Sequence, residues 1–218
     1  MKVGIIFFHK NILNIYKESW IKKSVMSMMN QTHADFHIYE INYGNEDYSV
    51  IKEYADASVN HKFYKRDLYN YADAMNFIIK KASEDGCDYI FNTNLDDFYD
   101  ENRIKKQLVL LEDGFDVVSS DFCYIQERGG VDEIIHHMNI KKYGDIKSNL
   151  LKDHNMIAHP CVAMNKKFFD NNQYDISKTP REDLELWKKS IQEGFKFFIH
   201  DEELLFYRIH ENQVSNEK

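Results

Sequence analysis

At 218 residues, 43% hydrophobic and 29% charged, the chain is long and apolar enough to bury a full core, which excludes a disordered segment. A net charge of −8 argues against a general affinity for nucleic acid or anionic membranes, both of which call for basic patches. Three cysteines without a Cys-x-x-Cys pair fit a reduced, cytoplasmic chain, and no apolar run is long enough to span a membrane.

Residues 3–8 (Val-Gly-Ile-Ile-Phe-Phe) form a continuous apolar run, the pattern of a strand buried on both faces, and polar His9, Lys10 and Asn11 follow at once. Trp20, Ile21, Val25, Met28 and Met29 recur at helical spacing. Residues 36–41 alternate as a second strand, and residues 42–45 (Asn-Tyr-Gly-Asn) read as a turn. Val50, Ile51, Tyr54 and Ala55 mark a short helix and residues 62–64 a short strand. Ala72, Met75, Ile78, Ile79 and Ala82 give a clear helix ending near Gly86. The apolar run 89–91 then leads into three carboxylates, Asp96, Asp97 and Asp100.

Strand-helix alternation over the first hundred residues predicts an α/β fold with a parallel sheet and helices on its faces. Ligands in such sheets bind at the carboxyl ends of the strands. His9, Asn11, Asn42, Asn45, Asn94 and Asp96 are all expected to gather there. Clustered aspartates at a strand end suit a hard divalent cation, which takes oxygen ligands and shares them with substrate phosphates. The alternative is ordinary turn and helix-cap chemistry, which also favours Asp and Asn.

Past Asp100 the spacing of Ile104, Leu108 and Leu111 predicts a helix, and residues 116–120 a strand. Residues 127–155, with Gly129-Gly130 and the pair His136-His137, show weak periodicity and read as variable loop or short helix with a polar surface, the natural place for an acceptor-binding insert. Thr179-Pro180-Arg181-Glu182 reads as a helix start, with Thr179 as N-cap and Glu182 reaching back to its backbone. Asp183 adds a favourable charge near that N-terminus. Two β-like runs, 195–199 and 204–209, follow.

These motifs, in this order, resemble the family 2 glycosyltransferases, inverting enzymes of the nucleotide-diphospho-sugar fold called GT-A. The resemblance covers most of the chain. Residues 3–11 are similar to the first strand and its Asn-ended loop, with Phe8-His9-Lys10 in place of Pro-Thr-Tyr. Asn42-Tyr43-Gly44 stands for Asp-Asp-Gly, and Ala74-Met75-Asn76 for Ala-Arg-Asn. Asn94-Leu95-Asp96-Asp97 resembles the Asp-x-Asp-Asp metal motif with its first Asp replaced. Glu182-Asp183 with Leu186-Trp187 matches the Glu-Asp motif, and Tyr207-Arg208-Ile209-His210, followed by Ser215, the C-terminal segment.

The resemblance implies a GT-A three-layer sandwich around a central, mostly parallel sheet, built as one domain over residues 1–218. Its first hundred residues would form the nucleotide-sugar half, and 101–218 the acceptor and catalytic-base half. It implies Asp183 as general base, Asp96 and His210 as ligands of Mn²⁺ or Mg²⁺, and donor contacts from Phe8, His9, Asn11, Asn42, Asn76, Asn94, Leu95, Asp96 and Glu182. The partners would be a nucleotide-sugar donor, UDP-sugar favoured, and a glycan or other hydroxyl acceptor. In the family an Asp at the Asn42 position reads the uracil and one at the Asn94 position the ribose. Asparagine offers an amide in each place, so dTDP and GDP stay open beside UDP.

Three rivals are weighed. Asp96-Asp97-Phe98-Tyr99-Asp100 spells the Asp-Asp-x-x-Asp of isoprenoid enzymes, but those are helical proteins. A sugar-1-phosphate nucleotidyltransferase would carry a glycine-rich loop after the first strand, and residues 8–13 contain no glycine. A non-catalytic nucleotide- or sugar-binding module would have lost the base or the metal ligands, yet Asp96, Asp183 and His210 are all present.

Overall fold

In the computed structural model, which describes residues 1–213, one nine-stranded mixed sheet forms the middle layer. Ser215, part of the C-terminal match, lies outside the described residues. Strands β1 (Val3–His9), β2 (His37–Asn42), β3 (His61–Lys65) and β4 (Tyr89–Asn92) run parallel in the order β3-β2-β1-β4. Helices α1 (Glu18–Met29), α2 (Val50–Tyr54) and α3 (Tyr71–Glu84) make the crossovers. The apolar run of β1 is buried at every position because both faces are covered: Ile5 and Phe7 join the core under α1 and α2, and Ile6 and Phe8 the core under α3.

A two-residue strand, β5 (Phe98–Tyr99), and helix α4 (Arg103–Glu112) follow. Beyond them β6 (Val117–Arg128) turns back at Gly129-Gly130 into β7 (Val131–His137), both glycines at positive φ as a tight hairpin requires. Helix α5 (Ile146–Leu151), strand β8 (Ala163–Asn165), helices α6 (Lys166–Asn171) and α7 (Glu182–Gln192), and strand β9 (Phe197–Arg208) complete the chain. Strand β8 joins the halves, antiparallel to β4 and to β6, and β9 runs parallel to β6.

Three expectations are corrected. Residues 131–137 are an edge strand rather than loop or helix; most of its side chains are exposed, so no alternation betrays it. The two runs after residue 195 are one strand, interrupted by bulges opposite Ser120 to Phe122. Helix α7 begins at Glu182, not after a Thr179 cap: the Thr179 hydroxyl accepts a 3.1 Å hydrogen bond from Asn70 Nδ2, and Arg181 occupies the cap position without a side-chain bond. All three cysteines are free and buried. Among the described residues no helix is long and apolar enough to cross a membrane.

Candidate active site

The carboxyl ends of β1, β2, β4 and β9 lie along one edge of the sheet, and two clusters form there. The first is built on the loop after β4. Thr93 Oγ1 donates to the carbonyl of Ile6 (2.7 Å), Ser24 Oγ to the carbonyl of Asn94 (2.7 Å), and the Asn94 N–H to the Tyr99 hydroxyl (2.6 Å). This clamps the aspartates that follow. The end of β9 then holds both of them: the Arg208 N–H donates to Asp97 Oδ1 (2.9 Å) and Arg208 Nε to the Asp96 carbonyl (2.8 Å). The Arg208 guanidinium, buried, also pairs with Asp132 on β7.

His210 Nε2 lies 3.0 Å from Asp96 Oδ2, across 114 residues of sequence. Tyr16 and Trp20 flank the imidazole, with ring centroids 5.5 and 5.2 Å away. Burial, then the neighbouring Asp96 charge, pushes the Asp97 carboxyl well above the usual range, against the opposing Arg208 N–H and the Arg208 and Arg103 charges. Asp100 turns away to cap Asn102 N–H at 2.9 Å. The Asp-Asp-x-x-Asp spelling therefore does not form one carboxylate cluster.

A divalent cation fits the Asp96–His210 pair. Asp96 Oδ1 is buried and accepts no hydrogen bond within the protein, and the pair offers one oxygen and one nitrogen donor. Among the described residues no three His, Cys, Asp or Glu side chains converge to hold a metal, so other ligands would be phosphate oxygens and water.

The second cluster stands at the start of α7. Asp183 is half-buried; its Oδ2 accepts from Asn155 Nδ2 (2.8 Å) and its Oδ1 from the Leu184 N–H (2.6 Å). Glu182 is buried, which raises its carboxyl above the ordinary range, and its Oε2 has no hydrogen-bond partner. Asn76 secures the approach to this helix, exchanging two bonds with the Tyr174 backbone at 2.8 and 2.9 Å. Behind it Trp187, fully buried, packs against Tyr174, Phe168 and His159.

The sequence reading missed His159. Its Nδ1 lies 3.0 Å from the Tyr71 hydroxyl and its Nε2 2.9 Å from the Tyr174 hydroxyl, within reach of the Asp183 charge. Burial lowers the imidazole pKa, with Asp183 opposing, so the neutral ring is favoured. The only signal was His159-Pro160, which reads equally well as the start of a turn.

Several expected donor contacts are spent on the fold instead. Asn42 is fully buried; its Nδ2 donates to the carbonyls of Glu46 (2.8 Å) and Tyr48 (3.0 Å), and its Oδ1 accepts from Gly44 N–H (2.9 Å). Asn11, in the left-handed region at φ 52°, accepts from Asn45 N–H. Its Oδ1 would stand 2.5 Å from a Cβ at position 44, so only glycine fits there. His9 Nε2 binds Glu40 at 2.8 Å on the far face of β1, Asn76 is taken by Tyr174, and Leu95 is core. His9 Nδ1 is left without a hydrogen-bond partner, and Asn11 is bonded through its Oδ1 alone. Phe8 packs edge-on to Tyr71 at 4.8 Å, and Asn94 keeps its buried Oδ1 without a hydrogen bond at the end of β4.

The structure brings Asp96 and His210 together but sets Asp183 on a separate cavity. His210 lines a cleft of about 310 Å³ with Tyr16 and Trp20. Asp183 lines a cavity of about 600 Å³ with Tyr124, Tyr207 and His159. A larger hollow of about 710 Å³ beside Tyr69 and Ile176 holds no carboxylate, histidine or cation. A tyrosine stands within reach of the charges of each cluster. The Tyr16 hydroxyl is pushed up by burial, then by Asp96, Asp97 and Tyr43; Tyr43 is pushed up to about 12 by burial and the Glu182 charge.

Comparison with known proteins bears on this arrangement. Residues 5–172 match the model of glycosyl transferase family 2. The chain is 29% identical over 204 residues to an uncharacterized glycosyltransferase of Methanocaldococcus jannaschii, covering 88% of this chain and 67% of that one. It is 25% identical over 219 residues to the O-antigen biosynthesis glycosyltransferase WbnJ of Escherichia coli, covering 96% and 83%. Among solved structures, S. aureus TarS 1-349 in complex with UDP-GlcNAc superposes with a TM-score of 0.75 at 14% identity, covering 100% of this chain and 62% of that chain. The mannosyltransferase PcManGT from Pyrobaculum calidifontis, in complex with GDP-Man and Mn²⁺, gives 0.71 at 10%, covering 96% and 57%. At such identities these two speak to the fold alone, and the chain spans less than two thirds of either solved protein.

Proposed function

The chain belongs to glycosyl transferase family 2 and has the α/β GT-A fold, and from that premise we propose that it is an inverting transferase acting from a nucleotide-diphosphate sugar, a UDP-sugar first, onto an acceptor hydroxyl. The observation that carries the reading is the Asp96–His210 contact, two residues far apart in sequence meeting at the strand ends with one carboxylate oxygen still unsatisfied. Asp96 and His210 would hold a divalent cation, which when bound supplies charge neutralisation to a leaving diphosphate. A donor lying along the sheet edge would run from this corner past the Tyr16 and Tyr43 hydroxyls toward Glu182 and Asp183. In this division residues 1–100 serve mainly the donor, and 101–218 the acceptor and the base.

Asp183 takes the proton. The acceptor oxygen attacks the anomeric carbon from the face opposite the diphosphate, the bond to the diphosphate breaks, and the acceptor's proton passes to the Asp183 carboxylate. A positioned base of this kind contributes typically ~10²–10⁴-fold. Asn155, donating to Asp183 Oδ2, fixes the carboxylate's orientation. The Asn42 amide is saturated within its own loop, so base selection would fall to the surrounding backbone, and a donor screen should include UDP-, dTDP- and GDP-sugars.

Such a screen, run with Mn²⁺, Mg²⁺ or a chelator, is expected to show cation-dependent release of nucleotide from one donor class. Asp183→Ala should keep donor binding and lose transfer, and Asp96→Ala should lose cation-dependent donor binding. Turnover of wild type that ignores the chelator would remove the role given to Asp96. Full transfer by Asp183→Ala would remove the base.

A further inference from the structure

Resting on the reading of Asp183 as the base, we infer that the cavity beside it takes an uncharged sugar ring, laid on an aromatic floor, and discriminates against acceptors that carry a phosphate on that ring. The floor is made by Phe122, Tyr124 and Tyr207, crossing edge to face (Phe122–Tyr124 at 5.2 Å, Tyr124–Tyr207 at 5.6 Å) or tilted (Phe122–Tyr207 at 5.8 Å), so a sugar would meet individual rings and not one flat platform. Flat rings offer a sugar's C–H face a large contact at low conformational cost, while the few polar groups of a pocket set orientation. Those polar groups here are Asp183, Asn155, His159 and the hydroxyls of Tyr124, Tyr143 and Tyr207, around a cavity of about 600 Å³.

The charge pattern decides against a phosphate. Among the described residues no lysine or arginine lines the cavity. Of the cations in neighbouring segments, Lys141 pairs with Asp201 at 2.7 Å and Arg181 with Asp153 at 3.4 Å, and neither lines the cavity. His159 has both ring nitrogens within hydrogen-bond distance of tyrosine hydroxyls, and burial favours its neutral form. A phosphate entering would lose water, meet no counter-charge, and face the carboxylate of Asp183. A neutral pyranose gives up less hydration, and its hydroxyl is the group the base requires.

The test is a ligand-observed NMR titration of the full chain with methyl pyranosides (glucoside, galactoside, mannoside and N-acetylglucosaminide) and with their 6-phosphates. At least one neutral glycoside should bind, with its 6-phosphate at least tenfold weaker. Tyr124→Leu, which keeps apolar volume but removes the ring, should weaken the neutral sugar at least fivefold, and Tyr124→Phe should restore it. Met138→Lys, which sets a cation in the wall, should shrink the neutral-over-phosphate preference at least tenfold.

Equal or tighter binding of the phosphates overturns the inference. So does the absence of binding by every neutral glycoside, or a Tyr124→Leu chain that binds as wild type does. Competition by octanol as effective as that by the sugar would assign the cavity to a lipid tail and overturn it too. Donor hydrolysis without acceptor tests the transferase reading separately. Loss of that activity beside intact sugar binding strikes the reading; intact hydrolysis beside failed sugar binding strikes the inference.

Discussion

The two clusters on the strand-end edge are held in different ways. Asp96 and Asp97 are buried and fixed by the backbone and side chain of Arg208, which is itself buried and paired with Asp132. Asp183 is half-exposed at a helix start, secured by one asparagine and its own neighbour's N–H. Buried charge is stable only while every partner is present, because an uncompensated ion in low dielectric is costly. The contrast teaches that the Asp96–His210 corner should be rigid and fragile to mutation, and the Asp183 corner tolerant in stability but, if it is the base proposed above, sensitive in rate.

The sharpest way to break this contrast is Arg208→Met. It takes the guanidinium from Asp132, which keeps Lys23 at 2.6 Å, and the Nε donor from the Asp96 carbonyl, while the backbone N–H on Asp97 stays; it should cost about 3 kcal/mol of stability, measured by urea unfolding. A loss below about 1 kcal/mol would mean the corner is not held as described. Asp183→Asn should do the reverse. Its transfer rate should fall by ~10²–10⁴-fold, while its unfolding free energy stays within about 0.5 kcal/mol of wild type.

Acid separates the two sides as well. Glu40, beneath the end of β2, is fully buried; burial alone would raise its pKa, but hydrogen bonds from His61 and His9, the His9 charge and Ser49 hold it down to about 2. A depressed carboxylate stabilises the fold above its unfolded value near 4.5, and that contribution is lost as pH falls from there through about 2. Roughly 3 kcal/mol should disappear across this window and be smaller in Glu40→Gln, read from unfolding at stepped pH. The smallest effect is reserved for Asn155→Ala. It should lower the transfer rate several-fold and cost about 1 kcal/mol of stability, because it removes an exposed bond to Asp183 and a part-buried one from the Ile157 N–H.

The same contrast explains what the sequence made legible. Strands β1 and β4 appear as apolar runs and β2 as an alternating one, with helices between them. Strand β7 is covered on neither face and shows no period; β5 and β8, of two and three residues, are too short to have one. Asp96 was legible as one of a cluster of aspartates at a strand end, but Asp183 and His210 were nameable only through motif resemblance, since no spacing rule joins positions 96 and 210. Asn42, Asn11 and His9 were correctly placed at strand ends, but their side chains obey turn chemistry and buried ion pairing, which a linear reading cannot tell from ligand contact. His159, Tyr71 and Tyr174 are neighbours only in three dimensions, and no local pattern announces them.

The chain's two tryptophans fall one in each cluster, Trp20 beside His210 and Trp187 beside His159. Indole emission is quenched by a protonated imidazole and shifts with solvent access. Trp20→Phe and Trp187→Phe would each leave a single emitter, so the two ends of the reaction path carry separate built-in optical probes. Donor arrival and acceptor arrival could then be timed independently, without attaching a label to either.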